Sequence, residues 1–362
     1  MGIKKKYFGI DLIKVFAVIS VSFIHAYLFS GFYEKNIYGG YDFILIFIRQ
    51  FVFCCVPLFI IITGYLKLNS ELNKEYYKKI IPVLTSYLCI SVITIFFRKL
   101  YFSKTDSIVN LILGVFNFST IGTAWYVEMY IGLFLLIPFL NILYKNIKTK
   151  KKKQILLLTL FCIISIPSTM SYLKIDNISL DIFPNWYRDF YPILYYYIGC
   201  YIKEYKIEFN KIINLISLIV FVFVVTFISY FYYHNVSMFS KNVMGYEAIQ
   251  TVIISTLIFL LLYNLNINGK NIKSFCRKVS SLSLNIYLFS YIFESFYYNY
   301  FSKILNGNLK TFIALIVFAP IIFFSSLLSS IILDKIILIF TKIIRSIIKR
   351  HKEKYNRKEK CC

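Results

Sequence analysis

The first apolar segment, "FGIDLIKVFAVISVSFIHAYLF", carries three residues capable of ionic or acid–base chemistry: Asp11, Lys14 and His25. Charged groups at the centre of a bilayer cost roughly 2.5 kcal/mol or more each on insertion scales. Because a helix turns about 100° per residue, Lys14 and His25 face nearly the same direction, about 16 Å apart along the axis. Asp11 lies one turn before Lys14, close enough to neutralise it. The spacing predicts a polar stripe with an ion pair at one end and an imidazole at the other.

His25 has the side chain best suited to removing a proton from a hydroxyl group near neutral pH. It is the single histidine inside a predicted membrane span, since His234 lies in a loop and His351 in the C-terminal tail. Two interpretations stay open: His25 is a general base, or it only makes a hydrogen bond between helices. For Asp11 and Lys14, the alternative is that both side chains extend to the membrane surface.

The composition places this stripe in a polytopic membrane protein. Of 362 residues, 59% are hydrophobic and 20% aromatic, which is more apolar side chain than one or two soluble cores would bury. Apolar runs of about 18 to 22 residues recur, each long enough to cross roughly 30 Å of hydrocarbon. The segment 107–118 has the character of a partial or interfacial helix. The sequence predicts an all-α fold with about ten transmembrane helices, near residues 8–29, 43–65, 79–97, 124–144, 155–173, 190–203, 211–232, 246–265, 280–298 and 311–343.

The net charge of +24 is concentrated in short loops and at the chain ends. With the N terminus inside, the Lys-rich loops all fall in the cytoplasm, as positive-inside orientation requires. We therefore predict a multi-pass protein of the cell membrane with both termini cytoplasmic, comprising a transmembrane domain over 1–347 and a basic tail over 348–362. This distribution argues against a nucleic-acid partner and favours the phospholipid headgroups of the bilayer.

The cysteines indicate neither a disulfide framework nor a metal site. The eight cysteines include no CxxC pair, and most lie within apolar runs. Nothing else in the sequence requires a metal.

Three further charged residues share the predicted depth of His25 in the outer leaflet: Arg49, Arg98 and Glu128. A carboxylate such as Glu128 would orient the imidazole, and Arg49 or Arg98 would stabilise an oxyanion or bind an acceptor. Depth alone does not establish that these side chains meet.

Aromatic residues on the predicted outer side are candidates for binding a sugar. Trp125 and Tyr126 begin the fourth predicted helix, and Trp186 lies in the outer loop "DIFPNWYRDFY". Aromatic faces stack on sugar rings, and we expect these three residues to contribute to an acceptor site. The alternative is that they anchor the chain at the membrane interface.

A series of short motifs runs in order over most of the chain. The motifs are "GIDLIKVFAVISVSFIHA", "VPLFIIITGYL", "KKIIPVLTSY", "AWYVEMYIGLFLLIP", "YYYIGCYI" and "SLNIYLFS". Together they resemble the acyltransferase-3 family of integral membrane acyltransferases. In the first helix the matching residues are Asp11, Lys14, Ala17 and His25, and later Lys79 stands three residues before Pro82. The ten-span core of the family agrees with the predicted helix count.

The resemblance implies transfer of an acyl group, commonly acetyl, from cytoplasmic acetyl-CoA or another acyl-CoA. The acceptor would be a hydroxyl of a cell-envelope glycan or lipid-linked sugar, with His25 as general base. Lys14, Asp11 and Lys79 would belong to the acyl-CoA side. The family usually has Arg at positions 14 and 79, so here a point charge replaces a bidentate phosphate contact. Members often have His where Thr123 and Ser290 stand.

Two other function classes are compatible with the same residues. A transporter or flippase of an envelope glycan also carries charges inside the membrane, although such proteins more often show broken helices in two related halves. A structural subunit of an envelope synthesis complex would leave His25 replaceable.

Overall fold

The computed structural model describes residues 8–102, 107–172, 174–175, 178–179, 184–239, 245–301 and 309–359. These residues form an all-helical fold whose only strands in the described ranges are the short antiparallel pair β1 (Lys174–Ile175) and β2 (Ile178–Ser179). Short 3-10 segments cover Lys78–Ile80 and Asn185–Phe190, and Ala314–Phe318 is π-helical. The helices are α1 (Phe8–Phe29), α2 (Gly40–Val52), α3 (Cys55–Lys67), α4 (Lys74–Tyr77), α5 (Ile81–Phe102), α6 (Ile108–Phe116), α7 (Trp125–Asn146), α8 (Lys150–Tyr172), α9 (Tyr191–Tyr205), α10 (Lys211–Tyr232), α11 (Ile249–Leu262), α12 (Lys270–Phe301), α13 (Lys310–Ile313) and α14 (Ala319–Glu359).

Every predicted transmembrane segment is helical, and the protein is a multi-pass membrane protein. Two of the predicted helices are short: α9 has 15 residues and α11 has 14, against the roughly 20 that a span requires. The predicted helix at 280–298 lies within the 32-residue α12. The count of ten spans and the cytoplasmic location of the termini stay predictions. Seven helices in the described part of the chain are long and apolar enough to cross a membrane: Phe8–Phe29, Gly40–Lys67, Lys74–Tyr101, Trp125–Asn146, Lys150–Tyr172, Lys211–Tyr232 and Lys310–Ile339.

α1 and α12 run parallel and in register. Their paired residues are always 269 positions apart: Ser280 Oγ donates to Asp11 Oδ1 at 2.7 Å, and His25 Nδ1 lies 2.7 Å from Glu294 Oε1. One turn further on, the rings of Phe29 and Tyr298 stack at 5.1 Å with the same offset. Alternating spans require the first and ninth predicted helices to point the same way, and the packing of α1 on α12 agrees with this.

The second predicted helix is broken between α2 and α3. Pro57 has no N–H, and its ring would collide with the carbonyl of Phe53 in a straight helix. α2 therefore ends at Val52, where the Phe53 N–H donates to the Arg49 carbonyl at 2.9 Å, and α3 begins at Cys55.

Two glycines of the motif series allow α3 and α9 to pack backbone against backbone. A Cβ at Gly64 would overlap the carbonyl of Tyr196, and one at Gly199 would overlap the carbonyl of Ile61. Small residues permit such close approach between membrane helices. α3 in turn packs against α1, which also contacts α12 and α14 and so lies at the centre of the fold.

α14 is one helix from Ala319 to Glu359. It continues through the predicted boundary between the transmembrane domain and the basic tail at 347/348. Residues 360–362 of that tail lie outside the described residues.

Candidate active site

The imidazole of His25 is hydrogen-bonded to a buried carboxylate on another helix. The distance from His25 Nδ1 to Glu294 Oε1 is 2.7 Å. The Glu294 side chain is 0% exposed and that of His25 is 13% exposed. In the tautomer of a neutral imidazole that donates from Nδ1 to this carboxylate, Nε2 keeps its lone pair. The same partnership between carboxylate and imidazole orients the base in hydrolytic triads.

Glu294 takes the position that the sequence analysis considered for Glu128. Glu128 lies on the exposed face of α7 and lines neither of the two cavities described below. The correction has a simple cause: sequence estimates the depth of a residue in a helix but not which helix faces which. A signal for Glu294 was present, because it is an acidic residue inside an apolar segment, "LFSYIFESF".

His25 lines a cavity of about 180 Å³, here called the His25 cavity. Its wall includes aromatic residues from four separate parts of the chain. Trp125 is 39% exposed, and Tyr246 stacks between Trp125 at 5.8 Å and Phe53 at 4.6 Å. The polar and aromatic lining residues are His25, Tyr33, Cys55, Trp125, Tyr246 and Tyr287.

A second cavity of about 230 Å³, the Lys14 cavity, adjoins the first. Val21, Val56 and Tyr287 line both cavities and form the wall between them. The Tyr287 hydroxyl donates to the Thr123 carbonyl, which holds this part of the wall in place. The predicted stripe on α1 thus borders two neighbouring chambers, with a lysine in one and a histidine in the other.

The rim of the Lys14 cavity carries a lysine that the sequence analysis did not single out. Lys67 lines the cavity, and its ammonium lies 5.8 Å from the ring centroid of Tyr76. Lys79, at 6.0 Å from the same ring, is exposed beside it. Lys14 and Lys67 thus line the same cavity, and Lys67 and Lys79 lie near the same tyrosine ring.

The predicted pair of Asp11 and Lys14 interacts electrostatically without a direct ion-pair contact. Asp11 accepts a hydrogen bond from Ser280 on α12. Lys14 lines the cavity, and no ion pair joins the two among the described side chains. Residues three apart on a helix differ by about 60° in direction, so one side chain faces α12 and the other faces the cavity.

Two of the remaining predicted site residues line the cavities, and the other three do not. Trp125 lines the His25 cavity, while the adjacent Tyr126 lines the Lys14 cavity. Arg49 lines neither cavity but donates from Nε to the hydroxyl of Tyr33 at 3.0 Å. Arg98 is half-buried on α5, and Trp186 is 85% exposed. Neither contributes to the lining of these cavities.

No group of three or more His, Cys, Asp or Glu side chains that could hold a metal ion occurs within the described ranges.

A family model described as an acyltransferase domain matches residues 7–335, nearly the whole chain. No curated protein and no solved structure matches the chain.

Proposed function

The chain belongs to the acyltransferase-3 family of membrane acyltransferases, and from this premise we propose that it moves an acetyl group from acetyl-CoA to a hydroxyl of a cell-envelope glycan or lipid-linked sugar. His25 is the general base. The observation that supports this proposal above the others is the hydrogen bond between Glu294 and His25, a residue that lines a cavity. Family membership favours an enzyme over the transporter and the structural subunit.

The proposed reaction needs one proton to move twice. His25 Nε2 removes the proton of the acceptor hydroxyl as its oxygen adds to the thioester carbonyl carbon. The tetrahedral intermediate then collapses, the carbon–sulfur bond breaks, and the imidazolium returns the proton to the departing CoA thiolate. Glu294 stabilises the imidazolium between these two events. General-base catalysis of this kind typically contributes about 10²- to 10⁴-fold.

The acyl-CoA would enter on the side of the Lys14 cavity. Lys14 and Lys67 line that cavity, and the exposed Lys79 lies near Lys67. Ammonium groups bind phosphates as point charges, so these lysines suit the phosphates of CoA. The pantetheine arm would then follow the stripe of α1 over the roughly 16 Å from Lys14 to His25. With positive-inside orientation, this side of the protein faces the cytoplasm.

The acceptor would approach from the side of the His25 cavity. Trp125 offers a partly exposed aromatic face there, and Tyr33 and Tyr246 add phenol groups. Aromatic faces and hydroxyl donors together suit a sugar ring, which is apolar on its faces and polar at its edge. Arg98 and Trp186 remain candidates for acceptor contacts further from the reacting atoms.

Transfer of radiolabel from acetyl-CoA to isolated envelope material tests the proposal directly. Membranes containing the wild-type protein should label the acceptor fraction, and His25→Gln should fail, because an amide is no base near neutral pH. His25→Gln has about the same size and still forms hydrogen bonds, so it serves as the packing control. Normal transfer by His25→Gln would exclude His25 as the general base. Absence of transfer by the wild-type protein would reject the proposed acetyl transfer to envelope material.

A further inference from the structure

Among the described residues, the buried guanidinium of Arg49 makes no ion pair. Its side chain on α2 is 3% exposed, and its guanidinium carbon lies 4.4 Å from the ring centroid of Phe53. Nη2 has no hydrogen-bond partner among the described residues. A buried, incompletely paired cation is costly, and charged groups inside membrane helices usually serve a function.

A hydrogen bond to one phenol links the guanidinium of Arg49 to the His25 cavity. Arg49 Nε donates to the hydroxyl oxygen of Tyr33 at 3.0 Å, and Tyr33 lines the cavity together with His25. Because the phenol oxygen accepts this bond, its own O–H is left to donate elsewhere. No acceptor for that O–H is found among the described residues.

Phe239 and Arg49 both pack against the ring of Tyr33. Phe239 stacks on it at 5.6 Å with 30° between the ring planes, and the Phe239 N–H donates to the Tyr33 carbonyl at 3.1 Å. The Arg49 guanidinium lies 5.2 Å from the ring centroid. A donor fixed before the reaction begins loses little free energy to reorganisation during it.

Resting on the acyl transfer proposed above, we propose that Tyr33 is the oxyanion-stabilising donor of the His25 cavity and that Arg49 is its positioning and polarising residue. When the acceptor oxygen adds to the thioester carbon, the carbonyl π electrons move onto the carbonyl oxygen, which then accepts the Tyr33 O–H. When the carbon–sulfur bond breaks, the carbonyl re-forms and the hydrogen bond weakens. Donation from a cation to the phenol oxygen polarises the phenol and strengthens its O–H as a donor.

The other phenols at the cavities are less suited to this role. Tyr287 already donates its hydroxyl to the Thr123 carbonyl. Tyr126 lines the Lys14 cavity instead. Tyr246 also lines the His25 cavity. Among the described phenols that line this cavity, however, only Tyr33 accepts a hydrogen bond from a cation, which is Arg49.

The test is a double-mutant cycle on the purified full-length protein, with acetyl transfer as the readout. Tyr33→Phe should lower kcat by about 10²- to 10³-fold, the usual effect of losing one oxyanion donor, with little change in either KM. Arg49→Met should lower kcat by a smaller factor, and Arg49→Lys should restore part of it by restoring the charge. The double variant Tyr33→Phe/Arg49→Met should be no slower than Tyr33→Phe alone, because Arg49 acts through the missing hydroxyl.

Tyr27→Phe is the matched control. Tyr27 is a fully buried phenol on α1 whose hydroxyl donates to the Leu45 carbonyl at 2.7 Å, and it lines neither cavity. It should keep kcat near the wild-type value. Normal turnover in Tyr33→Phe, or losses that multiply in the double variant, would overturn the assignment of Tyr33 while His25→Gln still failed. An inactive wild-type protein would instead overturn the acyl transfer and this inference together.

Discussion

Glu294→Gln removes the negative charge beside His25 and leaves the size of the side chain unchanged. The carboxylate lies 2.7 Å from the imidazole, and in the proposed mechanism it stabilises the positive charge that develops there during proton transfer. At about 4 Å between charge centres and an effective dielectric constant near 20, a full charge pair is worth about 4 kcal/mol. With half the charge developed in the transition state, the loss is about 2 kcal/mol, or roughly 30-fold in kcat.

The amide can also reverse the hydrogen bond. If its NH₂ group donates to Nδ1, the imidazole proton moves to Nε2 and the base is lost. A carboxylate-to-amide change in a serine protease triad lowers kcat by about 10⁴-fold for this reason. We therefore expect Glu294→Gln to lower kcat between roughly 30-fold and 10⁴-fold, with the KM for acetyl-CoA nearly unchanged.

The assay is acetyl transfer by the purified protein, measured together with its thermal stability. Glu128→Gln is the matched control, because it makes the same chemical change on the exposed face of α7 and should leave kcat unchanged. Glu294 is wholly buried, and its Oε2 has no partner among the described residues. Its neutralisation should therefore not lower stability. Near-normal turnover in Glu294→Gln, or equal loss in Glu128→Gln, would refute the reasoning.

Three further outcomes are expected. In a background without native cysteines, thiols at positions 36 and 152 should be labelled from opposite sides of the membrane, and equal labelling of both from outside would reject the predicted topology. Lys14→Arg should retain appreciable activity, and Lys14→Met should lose activity while still inserting into the membrane, because the proposed role requires a positive charge. Full activity and unchanged acyl-CoA affinity in Lys14→Met would show that the Lys14 ammonium only extends to the membrane surface. Trp186→Ala should raise the acceptor KM more than the acetyl-CoA KM if its exposed ring contacts the acceptor, whereas equal changes would indicate a membrane anchor.

The helices themselves could be predicted from the sequence because their signals are local. Apolar length identifies the spans, and the residues of α1 determine which of its side chains share a face. Lys14 and His25 therefore appear on one stripe in the structure as they do in the sequence. The motif series likewise predicted the family, which the match over residues 7–335 confirms.

Local breaks and close contacts were harder to anticipate, although their causes are visible afterwards. Pro57 divides the second predicted helix at Phe53, because a proline removes one backbone donor and its ring displaces one carbonyl. The reason for glycine at positions 64 and 199 is visible only in the fold, where α3 and α9 touch backbone to backbone at these positions. An apolar run specifies a helix but does not specify its neighbour.

The composition of the site was decided by tertiary packing. Glu294 reaches His25 because α12 lies parallel to α1 with a constant offset of 269 residues, a relation that no local pattern contains. Arg49 was predicted to share the depth of His25, and its proposed action on the His25 cavity depends on Tyr33, which lies in a loop. The sequence determines the chemistry of each side chain and the length of each helix. The partner of each side chain depends on how separate helices pack, which only the folded protein decides.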